Sequence, residues 1–260
     1  MKAHDLLEKL KLTTAAKHLP ELSQRAAADG MAPQTFLEAL LMPEVEERRR
    51  RSVELAMTFA RFPAIKRLAD FDFNFQPSVP KAMLEELARG DFLKEGRSVI
   101  LLGPPGVGKT HLAIALGVLA CEMNHRACFL TLPQLCHRFK KALARNQLHQ
   151  EMNNLTRPKV LILDEVGYTP LEPAEASLLF QVMAQRYQQG NSMIVTSNKS
   201  FTQWGEVFAG DAVMATAALD RLLHRATVIS IQGASYRLKG QKPKAALATS
   251  SGATPEGRAA

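Results

Sequence analysis

The stretch "LLGPPGVGKTHLA", Leu101 to Ala113, decides how the chain is read. Gly103, Pro104, Pro105, Gly106, Val107, Gly108, Lys109 and Thr110 satisfy the pattern G-x-x-x-x-G-K-[ST]. They lie after the apolar run "SVILL" and before the helix-forming "THLAIALGVLACEMN", the context the pattern requires. Glycines let backbone N–H groups turn toward phosphates, and a helix start adds a favourable dipole. Lys109 can then reach the β and γ phosphates, and Thr110 can ligate Mg2+. ATP with Mg2+ is the expected ligand; a glycine turn that happens to match is the plainer alternative.

Working outward, "SVILLG", "ACFLTL", "KVLILD", "SMIVTSN" and "TVISI" are short β-rich runs separated by helical stretches. Five such strands alternating with helices predict an α/β fold with a five-stranded parallel sheet. The run "VLILDEVG" finishes in Asp164 and Glu165, and buried carboxylates are costly unless something uses them. Asp164 is placed to hold Mg2+ through water, and Glu165 to orient or deprotonate an attacking water. An acid pair capping the next helix is the alternative. "MIVTSN" ends in Asn198, whose amide can hold that water or simply start a loop. Arg221, Arg225 and Arg237, in "LDRLLHRA" and "SYRLK", can face phosphate on this or a neighbouring subunit, where an arginine stabilises charge growing in the transition state. Each can equally be a surface cation.

The 260 residues are 46% hydrophobic and 22% charged, ordinary globular values that suit one or two domains. The longest uninterrupted apolar run, Leu112 to Cys121, is far short of the roughly 20 residues that span a bilayer. "MKAHDLLEKLKL" carries acids among its leucines and has no secretory character, so a cytoplasmic protein with no membrane partner is expected. Cys121, Cys128 and Cys136 form no C-x-x-C pair and read as reduced thiols. The formal charge of +8 divides as +2, +3 and +3 over residues 1–70, 71–238 and 239–260, compatible with a polyanion partner and with a plain soluble protein.

Residues 1–68 favour helix throughout and predict a small all-helical N-terminal domain, with Pro20, Pro33, Pro43 and Pro63 each starting, kinking or ending a helix. Residues 69–97 link it to a nucleotide-binding domain at 98–238, and 239–260, rich in Lys, Ala, Ser, Gly and Pro, reads as a disordered basic tail. In "PEVEERRRRSVELA", Glu44, Glu46 and Glu47 precede Arg48, Arg50 and Arg51 by four residues, the spacing of helical ion pairs. In "PQLCHRFKKALARNQLHQ", Leu135, Phe139 and Leu143 recur on one helix face. Arg138, Lys141 and Arg145 recur on another, as phosphate-tracking DNA contacts or as the solvated cations of an ordinary amphipathic helix. In "FDFNF", an extended backbone would send Phe71, Phe73 and Phe75 to one side, to pack the linker on the core or to stack on bases. Trp204 and the seven histidines show no metal spacing.

Taken together, the P-loop, the acid pair, the strand-tip Asn and the late arginines resemble an AAA+ ATPase of the initiator and helicase-loader branch. More closely, "RFPAIKRLADFDFNFQPSV", "LLGPPGVGKTHLAIALG", "LILDEVGY", "IVTSNKSF" and "ALDRLLHRA" with "SYRLK" look like the IstB-like transposition helper proteins of bacterial insertion sequences, over about residues 5 to 240. The resemblance implies roles for Asn198 as sensor 1, Arg221 as an arginine finger acting in trans and Arg237 as sensor 2, with no counterpart for Arg225. It also implies an N-terminal DNA-binding or assembly module. The ATPase would form a homo-oligomeric ring or filament on double-stranded DNA and present that DNA to a partner transposase, with ATP hydrolysis as a switch. A replicative helicase loader of the DnaC type shares nearly every one of these residues. A small-molecule phosphotransferase would need an acceptor pocket that the mainly helical connections do not suggest.

Overall fold

The structure, a computed structural model, describes residues 2–239; the remainder of the basic tail, 240–260, lies outside them. Leu, Ala, Glu and Arg dominate the start of the chain and build three helices, α1 (Ala3–Lys9), α2 (Thr13–Asp29) and the long α3 (Pro33–Ala60). Pro33 opens α3 where a missing N–H costs nothing, and Pro63 follows its end. Pro20 and Pro43 sit inside helices, so of the three expected effects neither starts nor ends one.

The charge run in α3 does more than solvate a surface. Glu44 is buried, and its Oε2 accepts the N–H groups of Thr14 at 2.7 Å and Ala15 at 3.3 Å, capping α2 from a neighbouring helix. Arg48 holds the other Glu44 oxygen at 3.0 Å and donates to the carbonyl of Lys11 at 2.9 Å. Arg51 pairs with Glu47 as the spacing predicts, whereas Arg50 pairs with Glu47 and Glu54 instead of Glu46.

After α3 the chain wraps onto the second half of the molecule. "FDFNF" is a tight turn, not an extended segment, with Phe73 N–H donating to the Phe71 carbonyl and Gln76 N–H to that of Asp72. Phe75 therefore parts from the other two rings: Phe71 is buried edge-on to Phe73, and Phe75 stands edge-on to Tyr236. Two short helices, α4 (Lys81–Ala88) and α5 (Asp91–Glu95), lead into β1 (Ser98–Leu102). Then come α6 (Lys109–Glu122), β2 (Ala127–Thr131), α7 (Leu132–Ala144), α8 (Leu148–Thr156), β3 (Val160–Val166), α9 (Pro173–Gln188), β4 (Ser192–Ser197), α10 (Trp204–Val207), α11 (Ala212–Leu223) and β5 (Ala226–Ser230).

The strands form one parallel sheet in the order β2-β3-β4-β1-β5. Strand periodicity divides the core between its faces: Val99 and Leu101 join Leu112, Leu116, Ala56 and Ala60 on one side, while Ile100 joins residues of α7, α8, α9 and α11 on the other. The end of α3 thus shares a core with α6. On α7 the buried stripe is Leu132, Leu135, Phe139 and Ala142; Leu143, expected on that face, is 47% exposed. No helix among the described residues is long and apolar enough to cross a membrane.

The Glu44 contact ties the N-terminal helices to pH. Burial acts to raise its carboxyl pKa, but the Thr14 N–H, Arg48 and the Ala15 N–H outweigh burial, and the net shift is downward. A depressed folded pKa means that the contact stabilises the fold above the ordinary carboxylate range, about 4.3, and loses that contribution as pH falls through the folded value. Glu44→Gln is expected to lower amide-exchange protection at the start of α2 at pH 7 and to remove part of the protein's loss of that protection on acidification.

Candidate nucleotide site

Parallel strands gather their carboxyl ends on one edge, and there the loop from β1 to α6 meets the ends of β3 and β4. A cavity of about 550 Å3 lies on this edge. Gly108 precedes α6 with φ 98°, and a Cβ there would come within 2.6 Å of the Phe71 ring, so only glycine fits beneath the linker. Lys109 is 7% exposed, and its Nζ donates to the carbonyls of Gly103 at 2.7 Å and Pro104 at 2.8 Å. Burial lowers its pKa and Arg237 adds to the effect, against the opposing pull of Asp164.

Asp164 is buried at the centre of a hydroxyl clamp. Thr110 Oγ1 donates to it, 2.9 Å from Oδ1 and 3.1 Å from Oδ2, and Thr196 Oγ1 donates to Oδ1 at 2.6 Å. The same Thr196 oxygen accepts the N–H of Glu165 at 3.0 Å. Glu165 itself has φ 63°, a left-handed conformation rare outside glycine, in the irregularity that shifts the β3–β4 register between Leu163 and Val166. The bend turns its exposed side chain onto the cavity wall instead of continuing the strand's alternation. Strain of this kind persists only where the surroundings over-determine it, and Thr196 supplies one such constraint.

The segment after β5 closes the cavity from the other side. Tyr236 N–H donates to the Gly106 carbonyl at 2.8 Å, and Tyr236 and Arg237 line the cavity with Glu165 and Tyr168. The segment between α3 and α4, which forms the observed linker, supplies the remaining wall, from Pro63 to Lys66 and from Asp70 to Asp72. His111 Nε2 is 3.0 Å from the Arg67 carbonyl, which anchors that wall to α6.

Of the residues singled out from sequence, the cavity therefore brings together Gly106, Val107, Gly108, Lys109, Thr110, Glu165 and Arg237, with Asp164 held directly behind Thr110. Asn198 stands beside the cavity instead of on its wall; its Oδ1 is buried and has no hydrogen-bond partner among the described residues. Arg221 and Arg225 lie at the opposite, amino-terminal edge of the sheet. Arg138 does not share the exposed face of Lys141 and Arg145: its guanidinium is 2.6 Å from Glu151 of α8 and only 22% exposed. Thr196 was not anticipated, although "MIVTSN" carries it two residues before Asn198.

The donor set fits Mg2+. A threonine hydroxyl and a carboxylate are hard oxygen ligands, and Mg2+ characteristically takes one or two such protein groups with phosphate and water. No cluster of three His, Cys, Asp or Glu residues suited to a dedicated metal centre occurs among the described residues.

Comparison with known proteins points the same way. Residues 5–245 match the family described as IstB-like ATP binding protein. The chain is 46% identical over 244 residues to an insertion sequence IS21 ATP-binding protein of Pseudomonas aeruginosa, covering 94% of this chain and 91% of the relative. It is 37% identical over 239 residues to an insertion sequence IS5376 ATP-binding protein of Geobacillus stearothermophilus, covering 92% and 94%. Among solved structures, AMPPCP-bound DnaA from Aquifex aeolicus matches with a TM-score of 0.54 at 16% identity over 66% of this chain and 51% of that one. DnaI matches at 0.53 and 21% over 65% and 89%. At such identities the structural likeness speaks for the fold alone, an α/β domain built on a five-stranded parallel sheet.

The clamp makes a stability prediction that needs no ligand. Thr196→Val deprives a buried carboxylate and a backbone N–H of one hydroxyl and should destabilise the protein by about 1–3 kcal/mol in urea unfolding. Thr196→Ser, which keeps the hydroxyl, should recover most of that loss.

Proposed function

The chain belongs to the IstB-like ATP-binding family, and on that premise we propose that it is a Mg2+-dependent ATPase that assembles on duplex DNA and offers the DNA to a partner transposase. The observation that carries the reading is the convergence of Lys109, the Thr110–Asp164 pair, the strained Glu165 and Arg237 on one cavity. That is a phosphate cradle, a hard-cation site, a base and a second cation, the parts phosphoryl transfer to water requires. Lys109 and the P-loop N–H groups bind the phosphates. Thr110 and Asp164 would hold Mg2+, which when bound would offset the negative charge of the phosphates. Glu165 orients the water and takes its proton, Asn198 assists from beside the cavity with its unpartnered amide oxygen, and Arg237 faces the phosphates from the segment after β5. Arg221, on the far edge of its own sheet, would serve a neighbouring subunit.

DNA binding and transposase recognition rest on family membership, since the relatives at 46% and 37% identity are proteins of insertion sequences. Their names favour this reading over a helicase loader, for which the solved structures offer a likeness of fold alone. Lys141 of α7 and Arg145 just after it are exposed cations that can follow a phosphate backbone. The site's design argues for ATP as a timer: a cavity walled by the linker makes nucleotide affinity depend on where the N-terminal helices sit.

Two variants separate binding from turnover. Lys109→Ala should abolish binding of a fluorescent ATP analogue and ATP-dependent assembly on duplex DNA. Glu165→Gln should bind the analogue normally, lower turnover at least a hundredfold and leave large complexes on the duplex that persist in ATP, measured by mass photometry. Equal assembly by both variants, or assembly that ignores nucleotide, would overturn the timing role.

A further inference from the structure

The segment after β5 is fastened along the linker by contacts that run in antiparallel order. Ser78 Oγ donates to the Gln232 carbonyl at 2.6 Å and accepts the Gln232 N–H at 3.0 Å. Gln76 Nε2 donates to the Ala234 carbonyl at 2.6 Å, and the Phe75 ring stands edge-on to that of Tyr236. Last in the run, Lys239 Nζ donates to Asp72 Oδ2 at 2.6 Å. Two segments joined in step at four places behave as one body, so the linker carries the segment after β5 with it.

Arg237 lies between the final two anchors. Before it, the Tyr236 N–H holds the Gly106 carbonyl of the P-loop; after it, Lys239 holds Asp72. Asp72 uses both of its oxygens, since Oδ1 accepts the Phe75 N–H at 3.0 Å and closes the linker turn while Oδ2 takes Lys239. The Lys239 ammonium also lies 4.8 Å from the centre of the Tyr236 ring and 5.1 Å from that of Phe75, aromatic neighbours that attract a cation. Lys239 holds the Asp72 carboxyl below its ordinary range, with the Phe75 N–H adding to the effect, and Asp72 raises the Lys239 ammonium. Both partners are therefore charged at neutral pH.

Two electrostatic facts bear on why the pair sits here. Asp72 lines the cavity, where an unmatched carboxylate would work against an anionic ligand. Burial lowers the Lys109 pKa, Asp164 opposes that, and Arg237 adds to the lowering, so Arg237 and Lys109 repel one another. Holding the segment that carries Arg237 against this repulsion needs an anchor beyond the arginine itself. We propose that Asp72 and Lys239 are positioning residues that pin Arg237 at the cavity wall, so that the phosphates of a bound nucleotide meet Lys109 and Arg237 already assembled. Pre-assembly of this kind raises affinity by cutting the ordering that binding would otherwise require. The proposal rests on the ATPase reading above and adds to it the device that sets the place of Arg237.

The test measures binding of a fluorescent, non-hydrolysable ATP analogue with Mg2+ to the full chain. Lys239→Met keeps the stem beside the two rings and removes the charge; Asp72→Asn keeps an acceptor for the Phe75 N–H and removes the charge. Each should weaken binding by about three- to fivefold, the upper part of what an exposed ion pair contributes, whereas Lys239→Arg should stay within about twofold of the unaltered protein. In an Arg237→Ala background the Lys239→Met and Asp72→Asn losses should vanish, because the pair acts through that arginine. A loosening of the fold in general would persist there and would overturn the proposal. So would unchanged affinity in both single variants, or tighter binding by Asp72→Asn, which would make Lys239 a mere neutraliser of charge on the wall. Failure of the unaltered protein to bind the analogue at all would overturn the ATPase reading instead.

Discussion

The buried carboxylate of Asp164 is the constraint around which the nucleotide site is organised. A carboxylate removed from water is stable only where hydrogen bonds replace hydration, and here the replacements are two threonine hydroxyls from different elements. One sits on the first turn of α6 and the other on β4, so satisfying a single charge fixes the P-loop helix, β3 and β4 relative to one another. The clamp reaches one step further, because the Thr196 oxygen that donates to Asp164 also accepts the N–H of Glu165. The residue carrying the candidate base is thus held in its left-handed conformation by the group that satisfies the metal-ligand candidate beside it.

The two edges of the sheet solve opposite problems. At the carboxyl edge, helix starts and loop N–H groups favour negative charge, and the side chains there supply an acid pair and a buried lysine. At the amino edge, Arg186 meets the carbonyls at the end of α8 and at the starts of β3 and β4. Five carbonyl acceptors replace an ion-pair partner, so the residue ties these segments together while its charge stays uncompensated. Removing a buried donor that satisfies several carbonyls is more damaging than losing one surface ion pair, since each orphaned acceptor is costly.

Local pattern carried most of the fold. The five β-rich runs, the glycines of the P-loop and the acids at the end of β3 were legible because each is set by a short window: strand propensity, permissive backbone, and an abrupt change from apolar to charged. What escaped was defined by partners distant in sequence. Glu44 looked like one more helical ion-pair acid, yet it caps α2 from thirty residues away. Arg138 looked like part of a free basic stripe until α8 folded back and placed Glu151 against it. Thr196 in a β-rich run resembled an ordinary strand residue, and nothing local announces that it meets Asp164 and Glu165. "FDFNF" failed for a different reason: its alternation suits a strand, but Asp72 accepts the N–H of Phe75 and closes a turn that alternation cannot reveal.

That turn matters beyond its own geometry, because it joins the helical front to the nucleotide cavity. Phe71 lies over Gly108 and edge-on to His111, the Arg67 carbonyl is hydrogen-bonded by His111, and the Arg67 side chain reaches Glu122 at 3.3 Å. The linker is therefore fastened at both ends of α6, the helix that follows the P-loop. Upstream, Ala56 and Ala60 carry α3 into the same apolar cluster as Leu112 and Leu116. A ligand that fills the cavity touches P-loop and linker together, so any difference in its affinity between two linker positions is matched by an equal bias of the linker when it binds. The reciprocity follows from the walls of the cavity alone. Where such a difference exists, it couples the front helices to the cavity without a residue of α1 or α2 on the cavity wall.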